Sequence, residues 1–374
     1  MIIKNANLLL FDQGGFVRQD IQFDAGKITK IAEHIDGEEV WDADGMYVTP
    51  GMIDAHSHVC ISEEGMGTTG DDCNDYSGAL TPHLETIDAI YPFDMAAGES
   101  LRAGVTAACV CPGSDSVIGG VACTIQLGGK VADEMIVERK TAMKCSFGEN
   151  PKKAGLGYQS RMSTAYLLRK CLMDTQDYQH RKEEAKKNGE YFKPEMGMEN
   201  MLLVLQKKIP LHAHVHRSDD ICTAIRIAQE FDLRLVLVHC TDGIAIKDYL
   251  AKFDYPVILG PTMYPRSKTE SLSRTFDTAG ELHRAGLKVC ITADHDVTPL
   301  YYLSTYAAMS VQHGLDELEG LRAITKNPAE VLGIADRKGE LKPGLDADLV
   351  VWSKHPFAYD TKVEQVFLQG VAVK

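Results

Sequence analysis

The sequence predicts an α/β protein: a distorted (β/α)8 TIM barrel carrying a small β-sandwich built from both ends of the chain. Three observations predict it. Short apolar, β-branched runs alternate with helical patterns through the middle of the 374 residues, which implies parallel strands joined by crossover helices. That middle spans about 290 residues, enough for a (β/α)8 barrel, and no Gly-x-Gly-x-x-Gly follows its first strand as an open dinucleotide-binding sheet would need. Both ends of the chain are β-rich and share one texture, so they are expected to pair with each other.

Taken in order, residues 2–10 form an apolar strand, and 21–31 alternate on both sides of Ala25-Gly26, a hairpin signal. Residues 62–93 make a long Gly- and Asp-rich loop after the first barrel strand. Further strands are expected at 106–110, 142–147, 210–214, 234–239, 256–259 and 288–291, with helical patterns such as 221–231 and 278–285 between them. A long helical insertion is expected over 156–208, and its charged run at 180–187 is read as a solvated helix face. Residues 348–352 and 366–373 return to strand patterns. The expected boundaries are 1–50 plus 342–374 for the small sandwich and 51–341 for the barrel.

Composition narrows the partners. With 44% hydrophobic and 25% charged residues the chain is neither disordered nor fibrous. Its net charge of −14, without a basic cluster, argues against nucleic acid and anionic membranes, and leaves a small-molecule substrate. No apolar run is long enough to span a bilayer, and the first residues lack a signal-peptide pattern. The ten cysteines form no Cys-x-x-Cys pair and sit mostly beside apolar runs, so they are read as reduced thiols of a cytoplasmic protein.

The chemistry lies at strand ends, where a barrel of this kind places its catalytic groups. His56 and His58 end the first strand, and residues i and i+2 of a strand point the same way, so both can grip one ion. His212, His214 and His216 close a later strand, His239 the next, Asp294 the last, and Glu149 the fourth. A lone His or Asp in such a place is usually a hydrogen-bonded structural residue or a helix cap. Five strands in order, each delivering a metal-capable residue, make a site instead. Imidazole and carboxylate donors suit Zn, Mn, Fe or Co.

The lead-in Val48-Thr49-Pro50-Gly51-Met52-Ile53-Asp54-Ala55-His56-Ser57-His58 carries the first family signature. The second is the tail, Asn327-Pro328-Ala329-Glu330-Val331-Leu332-Gly333 followed by residues 339–350. Together they resemble the amidohydrolase superfamily over nearly the whole chain. Thr81-Pro82-His83-Leu84 and Phe147-Gly148-Glu149-Asn150-Pro151-Lys152 look like its imidazolonepropionase-like or prolidase-like branch.

The resemblance implies one or two divalent ions, zinc foremost, held by His56, His58, Glu149, His214, His239 and Asp294. A carboxylated Lys144 is the second choice for the bridging position given to Glu149. It implies hydrolysis of an amide or cyclic amide C–N bond by a metal-activated water, with Asp294 as catalytic proton shuttle. Arg217, Arg266, His83 and His216 become candidate substrate contacts, and the two arginines suggest an anionic substrate. Deaminases and true imidazolonepropionases place an acidic residue where this chain has Arg217, which weakens that alternative. A non-catalytic scaffold would be expected to have lost ligands. A homodimer or higher homo-oligomer is the assembly the resemblance suggests.

Overall fold

A computed structural model describes residues 1–153 and 160–373. The chain begins with five strands, β1 (Ile2–Leu10), β2 (Gly15–Asp24), β3 (Lys27–Ala32), β4 (Val40–Asp42) and β5 (Tyr47–Pro50). Eight follow: β6 (Met52–Ser57), β7 (Val105–Val110), β8 (Ile118–Gln126), β9 (Ile136–Ser146), β10 (Leu211–Val215), β11 (Leu235–His239), β12 (Val257–Leu259) and β13 (Val289–Ile291). Three more come last, β14 (Leu349–Trp352), β15 (Val363–Leu368) and β16 (Val371–Ala372).

The ends do pair. One sheet runs β16-β15-β14-β5-β1-β2-β3, with β4 on β1, and its central seam is the antiparallel pair β5–β14, where Val48 faces Val351. Ile3, Leu8, Ile21, Phe23, Val48, Leu349 and Phe367 fill its core. Ala25 and Gly26, at φ 45° and 80°, form the two-residue turn whose handedness matches the strand twist. Beneath this sheet the buried Lys338 ammonium lies 3.1 Å from Asp346 and 2.5 Å from Asp348.

The second sheet runs β13-β12-β11-β10-β9-β8-β7-β6. Its strands are parallel except β8, which is antiparallel to both β7 and β9. This corrects the all-parallel expectation. Between β7 and β9 the chain doubles back as a strand instead of crossing over through a helix.

The barrel closes between β6 and the segment after β13 through side-chain and backbone bonds. Buried Asp54 accepts the His56 N–H at 3.0 Å and the Ala293 N–H at 2.9 Å. Thr292 Oγ1 donates to the His56 carbonyl at 2.5 Å, and the His58 N–H to the His295 carbonyl at 2.5 Å. These bonds fix the start of the site (β6) against its end (residues 292–295).

The insertion contains the helices Arg161–Asn188 and Met196–Leu205; its expected opening, 156–159, lies outside the described residues, as does Lys374. Ser160 caps the first helix through a capping box with Ser163, and Gly189, at φ 72°, ends it. All ten cysteines are free thiols, nine of them buried. Among the described residues no helix is long and apolar enough to cross a membrane.

Candidate metal centre and its cleft

Register decides which side chains meet. In the parallel ladders His212 lies beside Lys144, and His214 beside Ser146 and Val238. Residues 54–58, 144, 212–216 and 239 are therefore delivered to neighbouring heights at one end of the barrel. The His56 ring centre lies 5.2 Å from that of His58 and 5.6 Å from that of His239, and His214 lies 4.5 Å from His239. Asp294, just beyond β13, brings Oδ1 to 3.4 Å from Nε2 of both His56 and His58.

The rings are oriented from behind. His58 Nδ1 lies 2.7 Å from the Cys111 carbonyl, and His239 Nδ1 lies 2.6 Å from the Gly260 carbonyl. Donation of the ring N–H to a carbonyl leaves the other nitrogen with its lone pair, the state a metal ligand needs. Burial depresses two of the imidazoles: His239 is pushed down to about 3, and His214 well below the ordinary histidine value, so both are neutral; at His58 burial is outweighed by Cys73 and Asp294, which raise it well above that value. Burial alone would raise the Asp294 carboxyl, but His239, His56 and His58 outweigh it and hold it well below the usual carboxylate range.

The donor set fits a divalent cation. His56 Nδ1, His214 Nε2 and Asp294 Oδ1 are buried polar atoms without a hydrogen-bond partner, an arrangement that costs roughly 1–3 kcal/mol per atom unless something binds there. The donors of His56, His239 and Asp294, and those of His214, His216 and His239, lie within 4.8 Å of one another. Imidazoles with a carboxylate match Zn, Mn or Fe rather than Ca or Mg.

The remaining residues singled out in the sequence divide. His216 lines the cleft, its Nδ1 2.7 Å from Thr241 Oγ1 and its ring stacked on His239 at 4.7 Å. Glu149 lies elsewhere than a strand end. β9 stops at Ser146, Gly148 turns the chain at φ 85°, and Glu149 opens the short helix Glu149–Lys153. Its Oε1 accepts the Glu270 N–H at 3.2 Å, and its own N–H donates to Glu270 Oε2 at 2.8 Å. Lys144, inside β9 and fully buried, instead brings Nζ to 3.3 Å from His56 Nε2 and donates to the Pro112 carbonyl at 3.2 Å.

Arg217 precedes the helix Ser218–Glu230 and pairs with Asp219 at 3.1 Å, 43% exposed. Arg266 is exposed and donates to the Arg274 carbonyl at 2.8 Å, and His83 is exposed beside Gly197. These three lie outside the residues lining the cleft. The cleft, about 260 Å³, takes Asn150, Tyr264, Lys268 and Arg274 in their place. Sequence reasoning missed all four. The available signal was the long segment 260–276 between β12 and the helix Asp277–Arg284, since a loop of that length in a compact fold usually carries function.

Residues 47–373 match the model of the Amidohydrolase family. The crystal structure of an amidohydrolase from Thermotoga maritima MSB8 superposes with a TM-score of 0.97 at 37% identity, covering 100% of this chain and 99% of that one. The amidohydrolase tasK of Hapsidospora irregularis is 26% identical over 391 aligned positions, 94% of this chain, which spans only 39% of that relative's length. A β-aspartyl dipeptidase from Fervidobacterium islandicum AW-1, crystallised with a β-Asp-Leu dipeptide, shares the fold at 18% identity. Its TM-score is 0.62, covering 100% of this chain and 96% of that one.

Proposed function

With the chain belonging to the amidohydrolase family, we propose that it hydrolyses an amide or cyclic amide C–N bond in a small substrate, using one or two divalent ions, zinc foremost. One observation carries the reading: unpartnered buried donors on β10 and the segment after β13 converge with His56 and His239 on one end of a cleft. His56, His58, His214, His239 and Asp294 would hold the metal. Lys144 would join them as the bridging group once its neutral amine has added carbon dioxide and released a proton, since Nζ already lies against His56. Bound there, a divalent ion polarises a carbonyl and lowers the pKa of a coordinated water from about 15.7 towards 7.

The chain's own residues do the rest. Asp294, held ionised by the histidines around it, orients the attacking water and accepts its proton. It then delivers that proton to the leaving nitrogen, so that amide and water become carboxylate and amine. His216, fixed by Thr241, offers a hydrogen bond from the cleft wall. A deaminase would want an acid at position 217, and Arg217 there is turned to Asp219.

The test is a panel of N-acyl amino acids, dipeptides and cyclic amides presented to metal-loaded protein, with elemental analysis alongside. One to two equivalents of Zn, Mn or Fe per chain and cleavage of at least one amide class are expected. Protein that neither carries nor takes up metal would end the reading.

A further inference from the structure

We propose that Arg274 and Lys268, on the loop of residues 260–276, form an anion clamp that holds a carboxylate of the substrate beside the bond to be cut. The proposal rests on the hydrolase reading above and names the substrate class: amides that carry a free carboxylate near the scissile nitrogen, such as N-acyl amino acids and short peptides.

The guanidinium is the first ground. Arg274 lines the same cleft as His56, His214, His239 and Asp294. Its Nη1 donates to the carbonyls of Tyr264 and Pro265 at 2.8 and 3.1 Å, and its cationic centre lies 5.9 Å from the Tyr264 ring centre. Carbonyls and a ring face hold the side chain without neutralising it. Among the described residues it forms no ion pair, and its Nε and Nη2 make no hydrogen bond. In a chain with 53 acidic and 39 basic side chains, a half-buried guanidinium with no carboxylate bonded to it, Asp294 acting only from a distance, is a site prepared for one from outside.

Lys268 is the second ground. Its Nζ donates to Asn150 Oδ1 at 2.5 Å, and Asn150 Nδ2 in turn donates to Ser114 Oγ at 2.6 Å. This chain of bonds ties the loop after β12 to the segments that follow β7 and β9. Buried Glu270 stands 3.7 Å from Nζ, and the bond to Asn150 holds the ammonium along the wall of the cleft. The Phe147-Gly148-Glu149-Asn150-Pro151 motif thereby gains a role in which Asn150, not Glu149, faces the substrate.

The experiment uses the metal-loaded full chain and matched pairs of ligands: N-acetyl amino acids and the same compounds capped as neutral C-terminal amides. Turnover is read as KM and kcat separately, and binding by the shift in Tm. The clamp predicts that acids are preferred at least about tenfold in kcat/KM over their amides. Arg274→Met should erase that preference mainly through KM, Arg274→Lys should restore part of it, and Lys268→Met should weaken it several-fold. Equal handling of acids and amides, or equal loss on both in Arg274→Met, overturns the clamp and leaves the hydrolase reading standing. If neither set is cleaved, yet acids alone raise Tm in the unmutated chain and not in Arg274→Met, the clamp stands and the hydrolase reading falls. Absence of any acid-specific effect in turnover and in Tm overturns the clamp.

Discussion

The histidine-bearing strand ends and the loop after β12 line one cleft, but they are held in different ways. Lys144, His214 and His239 stand in the register of backbone ladders, and His56 and Asp294 are tied across the closing seam at Asp54 and Thr292. Moving any one of them means breaking the barrel. Arg274 and Lys268 hang on a loop, steadied by carbonyls and one asparagine. The difference is instructive: groups that must meet within a fraction of an ångström are put on the scaffold, and groups that select a ligand are put where the sequence can vary without unfolding it.

This division can be broken or sharpened by mutation. The largest effect should come from Asp294→Asn, which keeps the shape and removes the proton acceptor; kcat should fall by at least about a thousandfold. The fold, by circular dichroism, and most of the metal, by elemental analysis, should survive. Near-normal turnover would make Asp294 a structural bond of the seam. Next comes the contrast between Lys144→Met and Glu149→Gln. The first, within the scaffold, should lower metal content and cut kcat/KM by more than about a hundredfold. The second should leave metal content unchanged and activity within about threefold, since the Glu149 Oε1 bond is to the Glu270 backbone. The reverse pattern would return the bridging role to Glu149.

Thr241→Val lies on the boundary between the two regions. It removes the hydroxyl that fixes His216 Nδ1, at a cost of about 1 kcal/mol, and should change KM or kcat by about fivefold with metal content intact. The smallest effect should come from Arg217→Met and Arg266→Met, which lie outside the cleft and should leave KM for any substrate within about twofold. A tenfold rise in KM for Arg217→Met would show that the loops close over the substrate in a way that brings this arginine inward.

Legibility followed the same division. Strands β6, β7, β10, β11, β12 and β13 were readable because each is a short apolar run, and a residue two places on from another in a strand must share its face. The pairing of the chain's ends was readable from their texture. β8 was not: Ile118-Gly119-Gly120-Val121 has the composition of a loop, and Gly120, at φ 129°, sits where a side chain would come within 2.7 Å of the Leu84 carbonyl. Only pairing with β7 and β9 makes the segment a strand. Glu149 was expected at the strand end for a similar reason. Nothing local tells that β9 ends at Ser146 and that Gly148 turns the next residues aside. Lys144 was visible as a lysine in an apolar run, but its contact with His56 spans 88 positions and exists only once the barrel closes. Arg274 and Lys268 have no periodicity at all to announce them.

The seam between β5 and β14 has a consequence for how the molecule comes into being. Val48 waits for Val351, and Thr49 for the Trp352 indole that reaches it at 3.0 Å. During synthesis the first five strands therefore emerge with a raw edge that cannot be capped until nearly the whole barrel has left the ribosome. Such distant pairing is slow, because the chain between must be ordered before the contact repays it. The terminal sheet can be completed only after the barrel residues have been made, and until then that edge stands open to association between nascent chains.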